Sequence, residues 1–197
     1  MNLYRLIHIQ FISYHYNLIL KSTKGQKMRK ILTSLLITTL TTFALTLNEI
    51  PKEVTLDGKN GGLLNEKSWS STTVKDKLHL LLYVNPNKKE DNEAFINALH
   101  QKNYDLKKYG LIAIINLKAI WLPNFAIEKM LEKKQQEFPS TIYVKDKTKY
   151  LEKEWNLENN SNLLIFDKEG KLIYQKSGTI MLEDMSTIFK LIEKNLD

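Results

Sequence analysis

The densest run of groups that could do chemistry is Asn85-Pro86-Asn87-Lys88-Lys89-Glu90-Asp91-Asn92, which mixes amides, carboxylates and ammonium groups. So many side-chain oxygens raise the question of a calcium loop. The EF-hand pattern requires glycine at its sixth place and a bidentate acid at its twelfth. Counted from Asn85 those places hold Glu90 and Ile96, so the run reads as a helix cap and solvated turn. Lys88, Glu90 and Asp91 are the clustered ionisable candidates for acid–base work, and no histidine stands among them. Trp121, Pro123, Asn124 and Phe125 form a second stretch with rings and an amide suited to recognition. Large aromatics are mostly buried, so Trp121 is expected to pack beneath its own loop. Trp155, which ends a polar helical segment, reads as a plug in the core.

Several chemistries are excluded by composition and spacing. The chain has no cysteine, which removes disulfides, thiolate nucleophiles and cysteine zinc sites. His8 and His15 lie in the leader, while His79 begins a strand and His100 ends a helix, with no paired metal-ligand spacing. No G-x-S-x-G elbow is present. Gly58, Gly61 and Gly62 match neither phosphate-loop spacing and read as turn residues. The runs Lys88-Lys89 and Lys133-Lys134 alternate with acids as a solvated face would. No catalytic residue, metal or cofactor is assigned on these grounds.

The elements that must position the two polar loops follow from hydrophobic patterning. Leu78–Val84 and Leu111–Leu117 are continuous apolar runs of strand length, as expected for strands covered on both faces. Between them Phe95, Ala98 and Leu99 mark a helix, with Glu90 and Asp91 near its start. Ile127, Met130 and Leu131 mark a second helix. The result is a βαβ unit, so both polar loops leave the same edge of the sheet, where ligand sites of α/β folds form. Ser140–Asp146 is a further strand, followed by the polar helical segment 147–155. Leu163–Phe166 and Leu172–Tyr174 flank Asp167–Gly170 as a hairpin. Met185, Ile188, Phe189 and Ile192 define a closing helix with Glu183 and Asp184 in its first turn. Before all of these, Asp57-Gly58 and Gly61-Gly62 separate short apolar pieces and suggest an irregular hairpin.

The formal charge of +7 invites a nucleic-acid reading. Arg5, Lys21, Lys24, Lys27, Arg29 and Lys30 account for most of it, and no acid precedes Leu45. The chain from Leu45 onward is therefore close to neutral, and no nucleic-acid partner is expected. From Met28 the leader has a basic start, an apolar stretch diluted by threonine, and Thr42-Phe43-Ala44 as a small-x-small site. Residues 28–44 are read as a secretory signal peptide, with an uncleaved inner-membrane anchor as the alternative. Residues 1–27 carry a second apolar segment and read either as an over-extended start or as an amphipathic anchoring segment. Residues 45–197 form the folded domain.

A βαβ unit followed by an antiparallel hairpin and a closing helix is the order of a thioredoxin-like fold. The pieces LDGKNGG, YVNPNKKEDNEAF, AIINLKAIWLPNF, KKQQEFPSTIYVKDK, EWNLENNSNLLIFDKEGK and SGTI resemble the YtfJ family of bacterial secreted thioredoxin-like proteins. The resemblance implies an α/β thioredoxin-like domain in the periplasm and brings no reaction. Redox-active members of the wider fold carry C-x-x-C where this chain has Lys88-Lys89-Glu90-Asp91, and often a proline where it has Ser161-Asn162. The expectation is thus a periplasmic, non-redox binding or accessory module for an envelope protein or small ligand. Its candidate surface is Asn85, Asn87, Lys88, Glu90, Asp91, Asn92, Trp121, Pro123 and Asn124. A cysteine-independent envelope enzyme and a nucleic-acid-binding regulator are the alternatives.

Overall fold

The computed structural model describes residues 45–196, so the leader readings on residues 1–44 lie outside it. Among the described residues no helix is long and apolar enough to cross a membrane. The two continuous apolar runs are adjacent parallel strands, β4 (Leu78–Val84) and β5 (Tyr109–Asn116). Strand β6 (Thr141–Asp146) extends them in parallel on the β5 side. On the β4 side, β7 (Asn162–Phe166) and β8 (Leu172–Ser177) pair antiparallel, as the Asp167–Gly170 turn requires. With β2 (Gly61–Leu63) antiparallel on β6, the sheet order is β2-β6-β5-β4-β7-β8.

Alternation along the strands divides the core into two faces. Leu78, Leu80 and Leu82 of β4 face α1 (Glu93–Gln101) and α4 (Leu182–Lys194), which contribute Phe95, Leu99, Met185, Ile188 and Ile192. Ala113, Ile115 and Tyr143 on that same face are covered by Ile127 and Leu131 of α2 (Asn124–Glu137). Leu81, Ile112, Ile114 and Val144 face the other way, against Trp69, Leu151 and Trp155. Trp155 is buried there, with its indole N–H donated to Lys52 O at 2.8 Å and its ring tilted against Phe166.

Two local features differ from the sequence expectation. The polar segment after β6 forms only a five-residue helix, α3 (Tyr150–Glu154). The Asp146 carboxyl group accepts from the N–H groups of Thr148, Tyr150 and Leu151, and Lys149 turns through a left-handed conformation (φ 59°), so the helix starts late. The expected hairpin around Asp57–Gly62 is a three-part excursion instead. Strand β1 (Thr55–Leu56) pairs with β3 (Trp69–Ser70), while the chain between them swings out to the main sheet as β2.

Gly61 is what allows that excursion. Its φ is +136°, and a Cβ there would lie 1.8 Å from Lys145 O. Gly61→Ala is therefore expected to destabilise the fold by at least ~2–3 kcal/mol through backbone strain and displaced pairing. Gly58→Ala, where a Cβ would meet no atom within 4 Å, is expected to cost only the left-handed penalty of ~1–2 kcal/mol. Urea unfolding of the two variants checks the order, and equal losses would deny Gly61 this role.

His79 gives a pH dependence. It is buried at the start of β4 with Nδ1 3.0 Å from Lys77 O, and burial holds its pKa below the ordinary imidazole value. The unfolded chain therefore takes up the proton first as pH falls through about 6.5, and stability drops toward the lower folded pKa. His79→Gln is expected to shrink the loss of urea midpoint between pH 7 and pH 5, and an unchanged loss would exclude His79 as its source.

Candidate functional site

The two loops named from sequence meet at the C-terminal edge of β4 and β5. After β4 the chain runs through a 3-10 segment, Pro86–Asn92, kinked at Lys88 (φ −128°, ψ 27°), and Glu90 and Asp91 lie in it just ahead of α1. After β5 a 3-10 turn, Leu117–Ala119, leads to the loop that ends at Pro123, and Asn124 opens α2. The Asn87 amide joins the loops by donating to Ala119 O at 2.7 Å.

The other asparagines tie the first loop to its surroundings. Buried Asn85 donates its N–H to Ser161 Oγ (3.2 Å) and accepts from Asn87 N–H (3.1 Å) through Oδ1, a local Asx turn. Asn92 accepts from Ile180 N–H (2.8 Å) and donates to Gly178 O (3.3 Å), fixing the approach to α4. These amides are engaged within the protein. Among the described side chains Asn87, Lys88 and Pro123 face solvent together with an apolar group: Trp121 is 99 % exposed, Phe125 73 % and Leu122 50 %. Trp121 therefore does not pack beneath its loop. The segment after the Leu117–Ala119 turn runs outward, and its anchors are Leu117 and Ile120, which pack against the α2 side of the sheet.

Beneath Trp121 lies a cleft of about 380 Å³, walled by Leu117, Ile120 and Ile127. Lys118, Lys145 and Lys147 line it together with Glu128. The Lys145 side chain is only 2 % exposed, and its ammonium group is bonded to the Glu66 carboxylate. Glu66 comes from the turn between β2 and β3, sits at φ 61°, is 59 % exposed, and also lies 3.4 Å from Lys147 Nζ. The hydrogen bond from Lys145 and its charge, with the charge of Lys147, hold the Glu66 carboxyl below the usual carboxylate range. Sequence reasoning missed both Glu66 and Lys145. Each is an ordinary charged residue in its own segment, and 79 positions separate them.

The opposite face at the same strand ends carries a closed polar layer. Tyr83 donates its hydroxyl to Asp146 Oδ2 at 3.1 Å, and Asn116 donates to Glu152 Oε2 at 3.1 Å. Burial, then the charges of Asp146 and Glu152, push the Tyr83 hydroxyl far above the ordinary phenol range, so it is a neutral donor and no base. Among the described residues no nucleophile, base and orienting group converge here. His100 is stacked on Phe138 at 4.1 Å, and among the described residues no group of three His, Asp or Glu could hold a metal ion.

A sequence model described as "Bacterial protein of unknown function (YtfJ_HI0045)" matches residues 49–195. An uncharacterized protein of Haemophilus influenzae is 25 % identical over 144 residues, covering 71 % of this chain and 77 % of its own. The uncharacterized protein YtfJ of Escherichia coli is 24 % identical over 134 residues, covering 66 % and 73 %. Among solved structures, an exposed lipoprotein thioredoxin of Streptococcus pneumoniae superposes with a TM-score of 0.54, covering 73 % of this chain and 99 % of its own at 12 % identity. That likeness shows a thioredoxin-like fold, and the absence of cysteine excludes thiol–disulfide exchange by this chain.

The Asp146 carboxyl group serves three backbone donors and one buried phenol, so Asp146→Ala is expected to lower stability by about 2–4 kcal/mol. Tyr83→Phe keeps the turn and is expected to cost ~1 kcal/mol. Denaturant unfolding of both variants checks this, and a fully stable Asp146→Ala protein would deny the carboxyl group its role.

Proposed function

The chain belongs to the YtfJ_HI0045 family of bacterial proteins of unknown function, and from that premise we propose that it is a periplasmic, non-redox thioredoxin-like binding or accessory module. The observation that carries the reading is Trp121, 99 % exposed beside Leu122 and Phe125 on the sheet edge that serves ligands in α/β folds. Exposed aromatic clusters on an otherwise polar surface mark interaction sites, and tryptophan is a preferred anchor of binding energy. The loop bearing it is tied by Asn87 to the neighbouring turn, so the anchor is presented in a set geometry.

The periplasmic address rests on the leader from Met28, with its basic start, threonine-diluted apolar stretch and Thr42-Phe43-Ala44 site. The near-neutral charge of the chain from Leu45 onward speaks against a polyanionic partner.

Two measurements test the reading. Fractionation with N-terminal sequencing of the native protein is expected to give a periplasmic species beginning near Leu45, and an uncut cytoplasmic chain would sink the address. Cross-linking in periplasm is expected to trap a partner that Trp121→Ala/Phe125→Ala loses by tenfold or more at unchanged melting temperature. Equal trapping by that double variant would sink the docking surface.

A further inference from the structure

We infer that the cleft beneath Trp121 binds a small organic anion, a carboxylate or phosphate attached to an apolar or ring-shaped body, and that the Glu66 side chain occupies the anion's place when the ligand is absent. The inference deepens the binding reading above, on whose edge of the sheet it rests, by naming a ligand class.

The first support is the buried lysine. Lys145 points to the α2 side of the sheet, where its neighbours along β6 are Thr141 and Tyr143, and it lines the same cleft as Ile127. An apolar side chain at this position would avoid desolvating a charge, and buried ion pairs are seldom better than apolar packing for stability alone. Its partner is also unusual. Glu66 stands on an exposed turn with its side chain 59 % exposed, so its carboxylate has open solvent to swing into. The pair is therefore asymmetric: the cation is fixed in the fold and the anion is on a removable arm.

The second support is the shape and charge of the space lined by Lys145 and Lys147, the two cations that Glu66 contacts. The cleft's volume of about 380 Å³ lies within the range of small-molecule sites. Lys147 and Lys118 add cations at the mouth against a single Glu128, so an anion is favoured over a cation. Leu117, Ile120 and Ile127 give an apolar wall, and the Trp121 ring stands at the lip where it can cover a flat ligand. Once Glu66 has left, an incoming carboxylate or phosphate meets Lys145 in a setting partly shielded from water, where a charge-assisted hydrogen bond is strong.

The test is calorimetric titration of the intact chain from Leu45 onward with benzoate, phenyl phosphate, inorganic phosphate and, as the neutral control, benzyl alcohol. Benzoate or phenyl phosphate is expected to bind, and whichever is tighter identifies the headgroup. Glu66→Gln is expected to tighten that binding about tenfold by removing the internal competitor. Lys145→Met, which matches the side chain out to Cε and removes the ammonium group, is expected to abolish it while the melting temperature stays the same or rises. The inference is overturned if Glu66→Gln binds neither aromatic anion at millimolar concentration, or if Lys145→Met binds them as wild type does. It is overturned also if inorganic phosphate matches phenyl phosphate in every variant. Loss of anion binding with intact partner cross-linking through Trp121 and Phe125 would overturn this inference and leave the docking reading in place. Anion binding without any cross-linked partner would support the cleft and remove the docking surface.

Discussion

The end of β6 is the point on which the rest of the molecule depends. Asp146 is fully buried there, and a buried carboxyl group without partners would be costly. The chain meets that constraint by turning back over it, so that three backbone N–H groups and the Tyr83 hydroxyl converge on its two oxygens. From that turn follow the late start of α3, the placement of Leu151 and Trp155 on the sheet, and the fixed end of β4. Lys145, one residue earlier, must point to the opposite face because strand side chains alternate. A single strand end thus sets a polar layer on one face and lines a cleft on the other.

The same economy of position shapes the edge between β4 and α1. In redox-active proteins of this fold that edge carries a reactive thiolate at a helix start. Here three asparagines close it by hydrogen bonds to Ser161, Ala119 and the backbone before α4. Each bond spends a polar group that could otherwise have faced a ligand. The exposed apolar side chains lie to one side, on the segment after β5. There the chain is anchored by Leu117 and Ile120 and exposes the rings beyond them.

How much of this was legible depends on the range of the interaction. Strands β4, β5, β7 and β8 are continuous or alternating apolar runs whose length and bounding turns announce them locally. Helix α4 is equally plain, because Met185, Ile188 and Ile192 recur at helical spacing and Asp184 reaches back to Met181 N–H. Strand β2 is not legible, since three residues opening with two glycines carry no strand pattern and exist as a strand only through pairing with β6. The tryptophans show the limit most clearly. Trp155 and Trp121 both follow a polar or irregular stretch, yet one has Phe166 and Lys52 O to meet it while the other has none of the sheet above it. Burial is decided by what the distant chain brings over a residue, and no local pattern records that. The Glu66–Lys145 pair is hidden for the same reason.

An exposed tryptophan could be mere tolerance, but the local construction argues otherwise. A ring that only happened to lie at the surface would need no support, and a loop of small polar residues would solvate better. Instead the segment is held at both ends, by the Asn87 bond at Ala119 and by the start of α2 at Asn124, so the backbone between them is restrained. That ordering costs conformational entropy in the free protein and lowers the entropy cost of association. The proposed Glu66 arm would follow the same logic in electrostatic form. It keeps a buried ammonium group hydrogen-bonded while leaving its own removal open to water. Both features carry a cost in the isolated chain that the proposed complexes would offset.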